Sequence, residues 1–72
     1  MINYCVVSRH LERCNTPYEG KVGRYNVTIT LTQRGGYLGE IYEGKNLLCR
    51  RYANDLETIV SWANRSHYAN QG

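Results

Sequence analysis

The chain contains no phenylalanine, and it has only one proline and one tryptophan among its 72 residues. Its apolar stretches are far shorter than the ~20 residues that a membrane-spanning helix needs. The N-terminal segment, residues 1–8, lacks the basic start and the long apolar stretch of a secretory signal peptide. The sequence therefore predicts a cytosolic protein with no membrane partner.

Motifs for cofactor binding and catalysis are missing as well. The glycines at 35–36 and at 44 belong to no G-x-G-x-x-G or Walker pattern, so we expect no nucleotide and no other cofactor. A single domain of this length buries about 60% of its unfolded surface, which leaves little room for a deep substrate cavity. Because catalysis needs a nucleophile, a base and a pocket together, we expect that the protein is not an enzyme.

The three cysteines, Cys5, Cys14 and Cys49, are an odd number, which is unusual for a disulfide framework and favours reduced thiols. Cys5, His10 and Cys14 are spaced closely enough to begin a zinc or thiol site, with Cys49 or His67 as a fourth ligand. The tight C-x₂-C pair that opens most zinc sites is absent. We therefore keep a zinc or thiol protein only as an alternative.

The clearest positive signal is the alternation of apolar and polar residues from Tyr25 to Thr32, which is typical of a half-buried strand. It predicts a strand over residues 24–32, a hairpin turn at 33–36, and further strands over 37–43 and 46–52. In the expected register Ile29 pairs with Ile41 and Leu31 with Gly39, which puts both isoleucines on the buried face.

Helix signals follow the last strand. Asn54 is a suitable N-cap, and an apolar stripe at helical spacing predicts a C-terminal helix over residues 54–69. The stripe consists of Leu56, Ile59, Val60 and Ala63. We expect it to pack across Val27, Ile29, Leu31 and Ile41.

The N-terminal third has weaker signals. Residues 2–7 read as a short strand and residues 9–14 as one helical turn capped by Ser8. Residues 15–23 contain proline and glycine and read as a mobile loop. Together these elements predict one α+β domain over residues 1–72, a small two-layer structure in which a C-terminal helix packs an antiparallel three- to four-stranded sheet.

The other face of this sheet is the predicted binding surface. The chain has seven tyrosines, seven of its nine basic residues are arginine, and its net charge is +3. Tyrosine and arginine are enriched at protein interfaces. The expected partner-binding residues are Thr28, Thr30, Arg34, Glu40, Tyr42 and, where the register of the last strand allows it, Arg51.

The order of strands resembles one class of DNA-binding domain. Residues 23–29 (GRYNVTI) and 37–39 (YLG), with the helix that follows, are similar in order to three-stranded-sheet-plus-helix domains of the arm-type integrase and plant transcription-factor kinds. This resemblance implies a nucleic-acid-binding module that uses the open sheet face. Those domains carry arginine and lysine along that face, whereas threonine dominates here.

A second resemblance covers roughly the last two thirds of the chain. Residues 46–48 (NLL) and 55–62 (DLETIVSW) are similar in order to a small phage anti-CRISPR protein that inhibits a type I CRISPR–Cas complex. The resemblance implies a non-enzymatic phage protein that binds a host protein or ribonucleoprotein effector complex in the host cytosol, as a monomer or a homodimer. The sequence therefore predicts a defence inhibitor, with the nucleic-acid-binding module as the alternative.

Overall fold

A computed structural model describes residues 1–66 of the chain. Two helices and four strands are formed: α1 (Tyr4–Arg13), β1 (Tyr18–Val22), β2 (Tyr25–Leu31), β3 (Tyr37–Glu43), β4 (Asn46–Ala53) and α2 (Leu56–Arg65). The strands make one antiparallel sheet in the order β1-β2-β3-β4. The predicted α+β class is therefore confirmed, with four strands. Neither helix has the length and apolar character that crossing a bilayer requires, over the residues described.

The N-terminal segment is a helix, so the predicted strand over 2–7 and the single turn capped by Ser8 are wrong. Asn3 caps α1, because its side-chain oxygen accepts the backbone N–H of Cys5 at 2.9 Å and of Val6 at 3.3 Å. Val7 is fully buried, and Leu11, four residues later, packs against the same core. A short apolar run cannot be assigned to a strand or a helix by its periodicity alone, which explains the error.

The predicted loop over 15–23 contains the edge strand β1. Tyr18 pairs with Ile29 and Val22 with Tyr25, and the side chain of Val22 is buried. The intervening Glu-Gly-Lys has little intrinsic preference for a strand. Pairing with β2 therefore determines its conformation, which local sequence does not reveal.

The β2–β3 hairpin confirms the alternating strand but changes its register. Its connection spans residues 32–36, where the Thr32 amide and hydroxyl donate to the Gly36 carbonyl at 2.8 and 3.1 Å. The longer loop pairs Val27 with Ile41 and Ile29 with Gly39, two residues away from the predicted pairing. An even shift leaves each side chain on its expected face, so both isoleucines are still buried.

The core lies between the sheet and the two helices. The α2 stripe of Leu56, Ile59, Val60 and Ala63 is buried as predicted, against Val27, Ile29 and Ile41 of the sheet. Leu31, which was expected in this core, is 49% exposed because it lies at the end of β2. Gly39 provides the closest approach of helix to sheet: a Cβ there would lie 2.7 Å from Trp62 Cζ3 and 2.9 Å from Ile59 Cγ2.

The cap of α2 is one residue later than predicted. Asp55 rather than Asn54 caps the helix, because its carboxylate accepts the Thr58 N–H at 3.0 Å and the Thr58 hydroxyl at 2.8 Å. The helix ends at Arg65, and the predicted residues 67–69 lie outside the described part of the chain.

The two helices are joined at their ends. The Ile2 amide donates to the side-chain oxygen of Asn64 at 2.8 Å, and the Asn64 amide donates back to the Ile2 carbonyl at 2.9 Å. Ile2 and Val7 belong to the same core cluster as the α2 stripe. Both helices therefore cover one face of the sheet and leave its other face uncovered among residues 1–66.

Candidate interaction surface

The uncovered face of the sheet, called the open face below, follows from the strand registers. Side chains paired across the strands point to the same side, and the partners of Val27 and Ile29 point toward the helices. The alternate positions form the open face. They are Glu19, Lys21, Asn26, Thr28, Thr30, Leu38, Glu40, Tyr42, Leu47, Arg50 and Tyr52.

Four of the six predicted site residues lie on the open face. Thr28 and Glu40 are direct cross-strand partners, and Thr30 and Tyr42 lie to either side of them. Arg34 lies in the β2–β3 loop at one end of the sheet, as its position in the predicted turn implied.

Arg51 is not on the open face. Gly39 pairs with Arg51 and Glu40 pairs with Arg50, so Arg50 takes the position that was expected for Arg51. The cause is a β-bulge: Ile41 pairs with Cys49 and Tyr42 with Leu47, which leaves Leu48 as an extra residue. A shift of one residue moves every later side chain of β4 to the other face. The register of β4 therefore does not allow Arg51 on the open face.

Glu40 anchors a polar network at the centre of the open face. The Tyr42 hydroxyl donates to Glu40 Oε2 at 3.1 Å, and Arg50 Nη2 lies 3.6 Å from the same oxygen. The Glu40 side chain is 15% exposed, whereas that of Arg50 is 50% exposed. The hydrogen bond to the carboxylate, helped by desolvation, raises the pKa of Tyr42 above its ordinary value. The bond to Glu40 also fixes the direction of the Tyr42 hydroxyl.

The charges of the open face balance. Glu19 and Glu40 oppose Lys21 and Arg50, so the face has no net charge. Binding to a nucleic-acid backbone depends on neutralising several phosphates with arginine or lysine. The excess positive charge of the chain lies elsewhere, and the open face is not an electrostatic match for a phosphate backbone.

Apolar groups on β3 and β4 are the part of the site that sequence reasoning missed. Tyr52 is 64% exposed and Leu47 is 40% exposed, and Leu38 lies half-buried between Thr30 and Tyr52. Alternation along residues 37–43 would have found Leu38, which has the same parity as Glu40 and Tyr42. The bulge hid Arg50 and Tyr52, because it reverses the faces of β4 after Leu48.

A shallow depression of about 530 Å³ covers the other half of the open face, over β1, β2 and the start of the β3–β4 turn. Lys21, Asn26, Thr28 and Tyr42 line it. The open face thus combines a polar depression on one half with exposed aromatic and aliphatic side chains on the other. That combination provides both direction-dependent hydrogen bonds and apolar contact area.

The residues of the zinc or thiol alternative do not form a site. Cys5 and Cys14 are exposed at opposite ends of α1, and the His10 ring lies edge-on to Tyr18 with centroids 5.7 Å apart. No three metal-ligating side chains come together within residues 1–66, and His67 lies outside that range. Burial raises the pKa of the Cys49 thiol, which makes it a poorer nucleophile at neutral pH.

Comparisons of this chain with protein-family models, with curated proteins and with solved structures found no match.

Proposed function

We propose that the protein acts by binding, through the open face, to the surface of a larger protein or ribonucleoprotein complex. One observation carries this proposal. Both helices cover the same side of the sheet, and the opposite side presents Tyr42, Leu47 and Tyr52 among polar and charged side chains whose charges balance. Interface cores are depleted in charge and enriched in tyrosine, with arginine as the preferred cation.

The side chains of the open face are better suited to binding a partner than to catalysing a reaction. Its central carboxylate, Glu40, already accepts a hydrogen bond from Tyr42 and faces Arg50. A carboxylate held in this way organises neighbouring side chains and is not poised as a general base. Thr28 and Thr30 present hydroxyls on regular strand positions, where they can donate to and accept from a partner.

The specific version of the proposal is a phage-encoded inhibitor that blocks a type I CRISPR–Cas complex in the host cytosol. Its support is the resemblance of residues 46–48 and 55–62 to an anti-CRISPR protein, together with the small sheet-plus-helix architecture. Residues 46–48 fall on β4 and residues 56–62 on α2, so the resemblance spans both layers of the domain. Such an inhibitor needs only to occupy a surface that the complex uses for nucleic acid.

A direct test uses a purified type I complex loaded with guide RNA. The protein is titrated into a mobility-shift assay with target duplex DNA, and size-exclusion chromatography reports whether it joins the complex. We expect co-elution with the complex and loss of the shifted DNA band, with no effect on free duplex.

Two variants assign the effect to the open face. Thr28→Arg places a long side chain in the middle of the face, between Glu19 and Glu40, and Tyr52→Ala removes the most exposed aromatic ring of that face. Both should weaken the complex, whereas Arg9→Ala on the exposed side of α1 should not. Binding that all three variants leave unchanged would remove the open face from the proposal. Steeply salt-dependent binding to bare duplex DNA would favour the nucleic-acid-binding module.

A further inference from the structure

Among residues 1–66, the strand β4 lies at one edge of the sheet and has β3 as its only strand neighbour. No backbone hydrogen bond satisfies its outer side within residues 1–66. The bulge at Leu48 interrupts the first half, and Cys49–Ala53 remains as a regular stretch without proline. An exposed row of alternating N–H and C=O groups is a template for a further strand.

Positive charge without a partner is concentrated along this edge. Arg51 makes no ion pair within the described residues, and neither does Lys45 in the turn that precedes β4. At the other end, Arg34 lines a depression of about 290 Å³ together with Tyr52 and Ala53. Two nearby carboxylates are already engaged, because Glu40 faces Arg50 and Asp55 caps α2.

The same charges disfavour a second copy of this chain as the added strand. A two-fold antiparallel pairing of Cys49–Ala53 with itself is centred on Arg51, so the two Arg51 side chains would lie directly opposite each other. Like charges at directly opposed positions destabilise a strand pair. The other edge, β1, has no such excess, since Glu19 and Lys21 balance.

The two adjacent arginines of β4 are placed so that they can face two adjacent acidic residues of an added strand. Arg50 points to the open face and Arg51 to the helix side, so they flank the edge on opposite sides. Consecutive residues of an added strand alternate between the same two sides. A nucleic-acid strand lying on either side would meet only one of the two guanidinium groups.

We propose that β4 accepts an extended acidic segment of a partner protein as an additional antiparallel strand. Adjacent Asp or Glu residues of that segment would face Arg50 and Arg51, and its backbone would pair with Cys49–Ala53. This site shares Arg50 with the open face, whereas Arg51 and the backbone groups of the strand edge lie outside that face.

The test uses a fluorescently labelled, end-capped peptide of valine and threonine with two adjacent glutamates at its centre. Anisotropy titration should show saturable binding, and amide hydrogen exchange along 49–53 should slow when the peptide is bound. Arg51→Glu should weaken binding by about tenfold or more, because it replaces attraction by repulsion at one cross-strand pair. Replacing the facing glutamate of the peptide by lysine should restore binding to that variant.

The control is Arg9→Glu, which makes the same change of net charge on α1 and should leave the peptide affinity unchanged. The proposal is overturned if the peptide shows no saturable binding at millimolar concentration, or if Arg9→Glu weakens it as much as Arg51→Glu. It is also overturned if single-stranded DNA binds and displaces the peptide in an Arg51-dependent manner. Thr28→Arg should leave peptide binding intact, so failure of the open-face proposal and failure of this one are separable.

Discussion

The two faces of the sheet are built from the same strands and have opposite properties. On the helix side Val27, Ile29 and Ile41 are fully buried, and Trp62 packs over Gly39 so closely that a Cβ there would lie 2.7 Å from its ring. On the open side, alternate residues of the same strands are partly or fully exposed, most of them are polar, and their charges balance. Stability therefore depends on one face, and the other is free to vary for recognition without loss of the fold.

The largest difference should come from matched substitutions on the two sides. Ile59→Ala opens a cavity in α2 against the sheet and should lower the free energy of unfolding by about 2–5 kcal/mol. Thr30→Val, which keeps the shape and the β-branching of an open-face residue, should change it by less than about 0.5 kcal/mol. Urea unfolding followed by circular dichroism measures both. Equal losses would mean that the open face is covered in solution.

A smaller effect should follow from filling the gap at Gly39. The added methyl of Gly39→Ala would meet Trp62 and Ile59 at less than 3 Å, so either these two side chains or the helix that carries them must shift. Overpacking of this kind should cost about 1–3 kcal/mol in the same unfolding assay.

A double-mutant cycle with Trp62→Leu provides the control for Gly39→Ala. The smaller side chain makes room for the methyl, so the combined loss should be less than the sum of the two single losses. Strict additivity would show that Trp62 does not pack over Gly39.

Local patterns predicted the elements that bury one complete face. Alternation placed Val27 and Ile29 inside, and helical spacing placed Ile59 inside, because burial of a whole face imposes one period on the sequence. Non-local pairing determined the rest. Nothing local distinguishes the β1 segment from a loop, and nothing local reveals the bulge at Leu48.

The sequence predicted which residues lie on the open face only for β2 and β3, the strands without a bulge. Thr28, Glu40 and Tyr42 lie on the open face as predicted because β2 and β3 are regular. Arg50 and Tyr52 were missed because one extra residue in β4 exchanges the two faces. A register error of one position therefore assigns the wrong residues of β4 to the site.

The N-cap of α2 gives different roles to two neighbouring residues, Asn54 and Asp55. Asp55→Ala removes the bonds to the Thr58 amide and hydroxyl and should cost about 1 kcal/mol of unfolding free energy. Asn54→Ala, one residue earlier and exposed, should cost much less. If Asn54→Ala has the larger effect, the helix begins where its sequence alone suggested.

The smallest effect should be an alkaline loss of stability to which each face contributes one group. Burial on the helix side raises the pKa of Cys49 above 9.0, and the hydrogen bond to Glu40 on the open side raises the pKa of Tyr42 above 10.0. In both cases the folded state favours the neutral form. The stabilisation is therefore complete below the ordinary pKa and is lost as the pH rises through the raised value.

Urea midpoints measured at a series of pH values above neutrality should fall first through Cys49 and then through Tyr42. Cys49→Ala should remove the earlier part of the decline and Tyr42→Phe the later part, because each variant lacks one titrating group. A decline that neither variant alters would mean that neither Cys49 nor Tyr42 causes it.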